Sequence, residues 1–470
     1  MKNILIAIRS IFKKGRHNVM KIVSLGIGLA VGLVLIAKVY FEQSYDDFYP
    51  DRDRVYQVWA KYQQNGGELK DYPQTSGGIA PTMQQQIPEI ETVTRYTSFG
   101  AWTLPLTDTK MKYSGRCIIA DSCFFDILPR PMLIGNAKEV LSTPMYVLIS
   151  SRIAKNIGGD VIRENFTVDN SPGRTMTIGG VFEEVPENSH SRYDVIVSMA
   201  SAGRFMWEGS PTNMLGNDRY ISYVKLHKGV NPLALEEQVR TFVNSYFPPE
   251  EQQKVGLSID FSFHKLDNLH KELPQVKRMT WILSLLAFAL IFTAVMNYIL
   301  IVISSIVNRS KEVAVHKCYG ASENNIHGMM FGEALVHIVL SLILALLLIL
   351  AFRGTVEELL ATSLDSLLLS NGSLVLLGIC ILVFFVSGFM PGSLYARIPV
   401  ASAFRNYREN KRIWKKALLL VQFVATGFLV TMLVFVARQY TFMVNDRPGY
   451  AYENLAYCGL AGVDSTSRAK

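Results

Sequence analysis

Residues Arg309–Ser322, with the sequence RSKEVAVHKCYGAS, form a charged segment between two long apolar runs. The run before this segment is Met279–Ile306, and the run after it is Ile326–Phe352. About 20 consecutive apolar residues suffice to cross the hydrocarbon core of a bilayer, which is roughly 30 Å thick. The segment is therefore predicted to connect two membrane spans and to lie at the membrane surface.

Five apolar runs in the chain are long enough to span a membrane. They are Ile22–Phe41, Met279–Ile306, Ile326–Phe352, Ser373–Leu394 and Ala417–Ala437. Each is predicted to be helical, because hydrocarbon offers no hydrogen-bond partner to an open backbone. The first run starts too late and is too long for a secretory signal, and a charged sequence beginning at Lys38 follows it instead of a cleavage site. We therefore predict an uncleaved anchor.

The net charge of +8 is unevenly distributed along the chain. Residues 41–277 hold 24 Lys/Arg and 29 Asp/Glu, whereas 1–21, 304–326 and 397–416 together hold 16 Lys/Arg and 3 acids. Short loops rich in Lys and Arg stay in the cytoplasm. We therefore place those three segments in the cytoplasm, and residues 41–277 and the acidic loop 353–371 outside it. The basic excess thus reflects orientation, and no basic recognition fold indicates nucleic-acid binding.

The region between the first two spans, residues 42–277, is long enough for one large domain or two small ones. Strand, helix and strand patterns recur at both of its ends, so we expect these ends to pair into one sheet. This arrangement predicts an α+β external domain, with one lobe formed by 46–99 plus 220–277 and an inserted lobe formed by 100–219. The fold class is therefore an α+β membrane protein with a transmembrane helix bundle.

The two ends of the chain are alike in pattern. Residues 1–21 alternate apolar and basic residues at helical spacing, which predicts an amphipathic helix at the cytoplasmic surface. Residues 395–416 form a basic linker before the fifth span, 417–437, and residues 438–470 are expected to begin a second external region. The chain thus opens a second repeat, and the sequence leaves open whether it stops there or is a fragment.

Signatures of catalysis are missing from the sequence. It contains no G-x-x-x-x-G-K-[ST] phosphate loop, no H-E-x-x-H and no G-x-S-x-G. We therefore predict no catalytic, cofactor-binding or metal-binding residues. His190 lies between Ser189 and Ser191, and no nucleophile can be identified near it in the sequence. We therefore predict a structured turn here rather than a hydrolase site. Cys117 and Cys123 lie in the external domain and could pair, but their spacing favours two free thiols.

The charged segment Arg309–Ser322 resembles the cytoplasmic coupling loop of FtsX/MacB-type transporter permeases. In that family the loop is roughly Arg-x-x-Glu-Ile-Gly-x-x-Lys-x-x-Gly-Ala. Ala314 stands where that family commonly has glycine, and His316 where it often has arginine. Further family-like pieces recur in the expected order, among them Ser44–Phe48 after the first span, Val185–Ser191 in the external region and Asp446–Tyr450 after the fifth span. The resemblance covers nearly the whole chain and is strongest for the eight-span members built from two half-repeats.

The resemblance implies a non-catalytic subunit that transmits force from a separate cytoplasmic ATPase, which would bind the ATP. The coupling loop spans 307–325, and Val313, Ala314 and Tyr319 are expected to face the spans while Arg309, Glu312 and Lys317 point outward. Gly320 suits the end of the loop helix. The residues expected to couple to the ATPase are Arg309, Glu312, Val313, Lys317, Gly320 and Ala321.

Three polar residues lie within the predicted spans, namely Asn297, Glu333 and His337. Such residues are costly in a membrane and are candidates for function. Glu333 and His337 lie one turn apart, and hydrogen bonding to each other or to a neighbouring helix is favoured over proton transfer or metal binding. The spans contain no row of charges that would line an aqueous channel.

The sequence therefore predicts a multi-pass permease subunit of a bacterial inner membrane that exports or extracts a lipoprotein, a peptide or a hydrophobic compound. Its predicted partners are an ABC ATPase, a second copy or second half-permease, and a periplasmic or outer-membrane protein. One alternative is an ATP-driven regulator of cell-wall hydrolases, against which the fifth span argues. Another is a membrane sensor without an ATPase, in which the basic loop is only a topology signal.

Overall fold

The computed structural model describes residues 17–105, 112–167, 175–216, 218–368, 372–396, 400 and 413–445. Its described residues form two units, a helical unit (17–43 and 274–445) and a sheet unit (44–273). Most of the predicted amphipathic helix 1–21, most of the linker 395–416 and residues 446–470 lie outside the described residues.

The helices are numbered here in chain order. They are α1 (Asn18–Gln43), α2 (Ile79–Gln86), α3 (Phe124–Ile127), α4 (Ala137–Ser142), α5 (Ser151–Ile157), α6 (Ala202–Phe205), α7 (Glu236–Tyr246), α8 (Pro249–Val255), α9 (Pro274–Ser304), α10 (Ile306–Cys318), α11 (Glu323–Ala351), α12 (Arg353–Leu360), α13 (Leu364–Leu368), α14 (Ser373–Ala396) and α15 (Ile413–Asn445). Short 3-10 turns occur at Met199–Ser201, Pro232–Leu235 and Leu266–Asn268.

Among the described residues, five helices are long and apolar enough to cross a membrane: α1, α9, α11, α14 and α15. In the helical unit, α1 packs against α9 and α11, and α14 packs against the same two helices. Their shared core includes Leu29, Ile299, Ile338 and Val383. The fifth helix, α15, touches α9 but is otherwise exposed.

The sheet unit is built on one mixed sheet of eleven strands within the described part of the chain. The strands are β1 (Val55–Gln64), β2 (Lys70–Tyr72), β3 (Ile90–Pro105), β4 (Lys112–Ala120), β5 (Met132–Ile134), β6 (Tyr146–Ser150), β7 (Asn165–Thr167), β8 (Thr175–Phe182), β9 (Val195–Ser198), β10 (Ile221–Leu226) and β11 (Leu257–Lys265). Their spatial order is β11-β1-β10-β3-β4-β9-β6-β8-β5, with β2 on β1 and β7 on β8.

The strands from the two ends of the sheet unit lie side by side. Strands β11, β1, β10 and β3 are antiparallel neighbours. Helices α2 and α7 cover one face of these strands; α7 does so with Val239, Phe242 and Val243, which are spaced for one face of a helix. The α+β class expected from the sequence is thus confirmed.

The inserted strands continue the same sheet through the β3–β4 pair. Neighbouring residues on these strands are buried on opposite faces, as Leu148 and Ile149 on β6 and Ile196 and Val197 on β9 illustrate. Because both faces are covered, these strands are continuous apolar runs rather than alternating ones. The β4–β9 and β6–β8 pairs are parallel.

Strand β11 lies at one edge of the sheet, where unpaired N–H groups would be open to another chain. Side-chain oxygens accept hydrogen bonds from two of these N–H groups. The N–H of Ile259 donates to Oε1 of Gln252 over 3.0 Å, and the N–H of Phe261 donates to Oδ1 of Asp260 over 2.8 Å. The edge is therefore partly closed by its own side chains.

Candidate functional site

The predicted coupling loop is mostly helix α10, which begins just after a break at Ser305. The Oγ of Ser305 donates to the carbonyl of Val302 over 2.6 Å and lies 3.1 Å from the Oη of Tyr395. The Tyr395 hydroxyl also donates to the Val302 carbonyl over 3.1 Å. Ser305 and Tyr395 are both buried. The end of α14 therefore fixes the point at which α9 stops and α10 starts.

One face of α10 is part of the core of the helical unit. Val313 and Ala314 are each 1% exposed and join the apolar cluster that contains Ile326 and Met330 of α11. On the other face, Lys311 and His316 are exposed, and Tyr319 at the end of the helix is 89% exposed. Helix α10 is thus amphipathic, with one face anchored and the other open.

The Gly-Ala-Ser sequence that ends the segment is a tight turn between two helices. The N–H of Gly320 donates to the Lys317 carbonyl and the N–H of Ala321 to the His316 carbonyl, each over 3.0 Å. With φ of +84° at Gly320, this is a Schellman motif, in which glycine avoids the strain of a left-handed conformation. Ser322 then caps α11 by accepting the N–H of Asn325 over 3.4 Å.

The predicted orientation is wrong for Lys317 on α10 and for Tyr319 directly after it. Tyr319 was expected to face the spans, but it follows the last turn of the helix and is exposed. Lys317 was expected to point outward, but it is half-buried and its Nζ donates to the carbonyl of Ala396 over 2.7 Å. Glu312 is half-buried, and the backbone of Arg309 lies in α10 while its side chain is outside the described part.

The three polar residues predicted within the spans lie in different surroundings. Glu333 is buried, and its Oε1 lies 3.5 Å from the Nζ of Lys21 on α1. His337 is also buried, and its Nδ1 lies 3.1 Å from the Oη of Tyr298 on α9. Asn297 is exposed on α9. Glu333 and His337 therefore link α11 to two other helices.

Sequence reasoning missed Lys21, which it counted only among the basic residues that flank the first span. In the structure Lys21 is 0% exposed, and its Nζ also lies 3.3 Å from the Oδ1 of Asn18. The signal that could have found it is the matching depth of Lys21 and Glu333, each near the cytoplasmic end of its predicted span. A buried ion pair in hydrocarbon is costly unless well paired.

An apolar cavity of about 480 Å³ lies in the helical unit between α1, α11 and α12. Its lining includes Ile27, Val31 and Val34 of α1, Leu348 of α11 and Leu359 of α12. No polar surface is exposed in it. Ile27, Val31 and Leu359 are exposed, so the cavity is open to the surface of the helical unit, and its apolar lining suits a hydrophobic group rather than a hydrated one.

Two protein families match the chain over separate ranges. The MacB-like periplasmic core domain matches residues 20–242, and the FtsX-like permease C-terminal domain matches residues 284–400. The chain belongs to the FtsX/MacB-type ABC transporter permeases. The second match contains the whole of α10, so the resemblance noted in the sequence is confirmed.

The chain is similar to solved structures of a permease domain and of the external regions of two transport proteins. A permease-protein domain from Porphyromonas gingivalis is 32% identical, with a TM-score of 0.43, and the match covers 46% of this chain and 91% of that domain. The periplasmic region of MacB from Actinobacillus actinomycetemcomitans is 14% identical, with a TM-score of 0.31 and coverage of 47% and 91%. The extracellular domain of the noncanonic ABC-type transporter YknZ from Gram-positive bacteria is 10% identical, with a TM-score of 0.31 and coverage of 44% and 98%. No curated protein sequence matches the chain.

The permease is a multi-pass inner-membrane protein whose sheet unit corresponds to a periplasmic domain. Permeases of this family are in general non-catalytic and work with a cytoplasmic ABC ATPase held in a separate subunit. Both predicted external cysteines are free thiols, and burial raises the pKa of Cys117 and of Cys123. These thiols are therefore poor nucleophiles.

Proposed function

We propose that this permease transmits force from its ATPase, through α10 and the membrane helices, to the periplasmic sheet unit. The movement would drive export or extraction of a lipoprotein, a peptide or a hydrophobic compound. The observation that carries the proposal is the anchoring of α10: its inner face is buried, while its beginning at Ser305 and its Lys317 are both tied to the last residues of α14.

A transmission element must move with the membrane helices rather than slide past them. The Val313–Ala314 face provides apolar contact, and the Lys317 bond to Ala396 adds a charge-assisted hydrogen bond. The tight turn at Gly320 joins α10 to α11 with only four residues between the two helices. Displacement of α10 would therefore reach α9, α11 and α14 together.

The exposed face of α10 is the proposed docking surface for the ATPase. It falls on the cytoplasmic side, because α1 leads into the periplasmic sheet unit and α9 returns from it. Lys311, His316 and Tyr319 are exposed there. An aromatic side chain that is 89% exposed, as Tyr319 is, suits an interface anchor that fills a pocket in a partner.

The apolar cavity between α1, α11 and α12 supports a hydrophobic cargo over a hydrated one. It lies at the periplasmic end of α11, which α12 follows directly in the chain, and beside the middle of α1. A lipid-like group taken from the outer leaflet would meet this part of the permease first. A second half-permease or a second copy, and a periplasmic or outer-membrane protein, complete the proposed assembly.

The test is co-purification of an ATPase from native membranes with the wild-type chain and with a His316→Ala/Tyr319→Ala variant. We expect the variant to retain at least tenfold less ATPase activity, because it loses two exposed side chains without disturbing the buried face. Trp207→Ala is the matched control, since Trp207 is 66% exposed in the sheet unit. That control should keep the ATPase.

Each outcome separates the proposal from its rivals. If wild type captures no ATPase, or the variant captures as much as wild type, α10 is not the docking surface and the sensor hypothesis gains support. If an ATPase is captured but purified cell-wall hydrolase is activated by the complex without any cargo, the regulator hypothesis replaces transport.

A further inference from the structure

A buried polar network lies where the chain enters the periplasmic sheet unit. It joins two of the family-like pieces noted in the sequence, Ser44–Phe48 and Val185–Ser191. Asp46 is at its centre, 0% exposed and with φ of +60°. A fully buried carboxylate is costly unless hydrogen bonds and a partner compensate it.

Six hydrogen bonds hold the incoming segment to the 188–190 loop, two of them being the longer ones from the His190 N–H to Asp46 and from Asn188 to the Ser44 hydroxyl. The Oδ1 of Asp46 accepts from Ser189 Oγ over 2.9 Å, and Oδ2 lies 2.6 Å from the Nδ1 of His190. The N–H of Asp46 donates to the Asn188 carbonyl over 2.9 Å, and Asn188 Nδ2 donates to the Ser44 carbonyl over 2.7 Å. The incoming segment is therefore bound within three residues of the end of α1 at Gln43.

The network continues from His190 into the middle of the sheet. The Nε2 of His190 contacts the Oη of Tyr223 on β10 and lies 3.0 Å from Ser191 Oγ. Ser191 Oγ in turn lies 2.6 Å from the Oη of Tyr96 on β3. Burial raises the pKa of Tyr96 to about 12, so its hydroxyl keeps its proton. The loop is thus connected to two central strands.

The Asp46, His190 and Ser191 side chains have the connectivity of a catalytic triad, but the site is closed. Ser191 is 4% exposed, and its Oγ is engaged by Tyr96 as well as by His190. A substrate has no access to this hydroxyl. The arrangement therefore serves as a structural connection rather than as a nucleophile.

The outgoing segment of the sheet unit is tied to the incoming one nearby. Lys271 Nζ lies 3.3 Å from Asp47 and 2.8 Å from Asp267. Arg52 lies 3.7 Å from Asp47 and 3.9 Å from Asp267. The segments that follow α1 and precede α9 in the chain are therefore linked, so they can be displaced together.

We infer that Asp46 and His190 form the joint through which displacement of α1 enters the periplasmic sheet. This inference rests on the proposed force transmission. A flexible linker after α1 would absorb movement, whereas a segment anchored by a hydrogen-bonded network around a buried Asp46 passes it on. Asp46 and His190 are positioning residues in this scheme, because they act through the backbone segments that they hold together.

The experiment measures hydrogen exchange in the full chain with its co-purified ATPase, with and without ATP and vanadate. Asp46→Gly removes the carboxylate, and glycine adopts the same positive φ freely. Wild type should show nucleotide-dependent protection changes in the sheet unit. Asp46→Gly should lose at least half of these changes while keeping its ATPase rate. Asp46→Asn, which keeps an acceptor for Ser189, should retain more of them.

A cross-link distinguishes a mechanical joint from simple stabilisation. Ser44→Cys/Asn188→Cys, joined by a short thiol cross-linker in the Asp46→Gly background, should restore the nucleotide-dependent changes. Thr75→Val is the control, because it removes a buried 2.7 Å hydrogen bond to Ser222, whose side chain lies on the face of β10 opposite to that of Tyr223. It should behave as wild type.

Failure of this inference differs from failure of the proposed function. If wild type shows no nucleotide-dependent change, force transmission itself is overturned. If wild type changes and Asp46→Gly changes equally, only the joint is overturned. If Asp46→Gly loses the response and the cross-link does not restore it, the network merely stabilises the unit and the joint is again rejected.

Discussion

The first and fifth membrane helices have similar apolar composition and basic flanks but very different surroundings. Both α1 and α15 follow basic segments and are long apolar runs. In α1, 44% of the residues in the most apolar stretch are buried, whereas in α15 the figure is 0%. Hydropathy therefore identifies both helices as spans, but only the presence of partner helices determines their burial.

The glycines of the two helices show the same contrast. A Cβ at Gly28 of α1 would overlap the Cβ of Ala294 on α9, and one at Gly32 would overlap the side chain of Ile291. A Cβ at Gly427 of α15 would meet no atom within 4 Å. Small residues allow helix backbones to approach closely in a membrane. On α1, the glycines allow α9 to approach closely. On α15, no described atom lies close to Gly427.

The largest loss of stability is expected when the ion pair between Lys21 of α1 and Glu333 of α11 is broken. Glu333→Ala leaves the buried Lys21 without its carboxylate, and breaking a buried pair costs about 3–5 kcal/mol. Unfolding of the purified permease in mixed micelles measures this loss. A Lys21→Met/Glu333→Met double variant should recover most of it, since apolar replacement of a buried pair is often neutral. Equal losses in the single and double variants would contradict the pairing.

A smaller loss of stability is expected when a larger side chain is placed in the close contact between α1 and α9. Gly28→Val should destabilise the permease by about 1–3 kcal/mol, because the added atoms overlap Ala294. Gly427→Val is the matched change on α15 and should shift stability by less than about 0.5 kcal/mol. Thermal unfolding in detergent compares the two. Similar shifts for both variants would mean that the two helices do not differ in their packing.

Loss of the hydrogen bond from Ser341 to α1 should lower the free energy of unfolding by a smaller amount. Its Oγ donates to the carbonyl of Ile22 over 3.1 Å. Interhelical hydrogen bonds in membranes average about 0.6 kcal/mol, so Ser341→Ala should cost about that amount. The same unfolding assay applies, with Ser341→Cys as a variant of similar size. A loss above about 2 kcal/mol would show that Ser341 does more than hold this bond.

The smallest loss of stability is expected at a long hydrogen bond between α15 and α9. The Nε2 of Gln422 lies 3.5 Å from the carbonyl of Thr293, at the limit of a hydrogen bond. Gln422→Leu should change stability by less than about 0.5 kcal/mol. If unfolding shows a loss of several kcal/mol instead, α15 is held far more tightly than its exposure indicates.

Much of this architecture could be predicted from the sequence. Uninterrupted apolar runs identified the spans, because a bilayer imposes a minimum helix length. The cytoplasmic turn could be anticipated from Gly320, since its positive φ suits glycine. The strands of the sheet unit followed from short apolar runs between turn residues.

Side-chain direction could not be predicted in the same way. Lys317 turns toward Ala396 because α14 supplies a carbonyl there, and no local pattern reveals that neighbour. Lys21 resembled an ordinary flanking lysine until α11 placed Glu333 beside it. The Asp46–His190 pair joins residues 144 positions apart. Each of these contacts depends on tertiary packing, which a single sequence does not specify.

The side chains that close the edge of β11 have a consequence for biogenesis. The sheet unit must fold after translocation, in a compartment crowded with other newly exported chains. An open strand edge would there recruit a second unfolded chain into cross-β growth. The side chains of Gln252 and Asp260 accept hydrogen bonds from the N–H groups of Ile259 and Phe261. These two N–H groups are therefore not available to pair with a strand of another chain. Two polar side chains thus make this edge a weaker template for aggregation while the sheet unit folds.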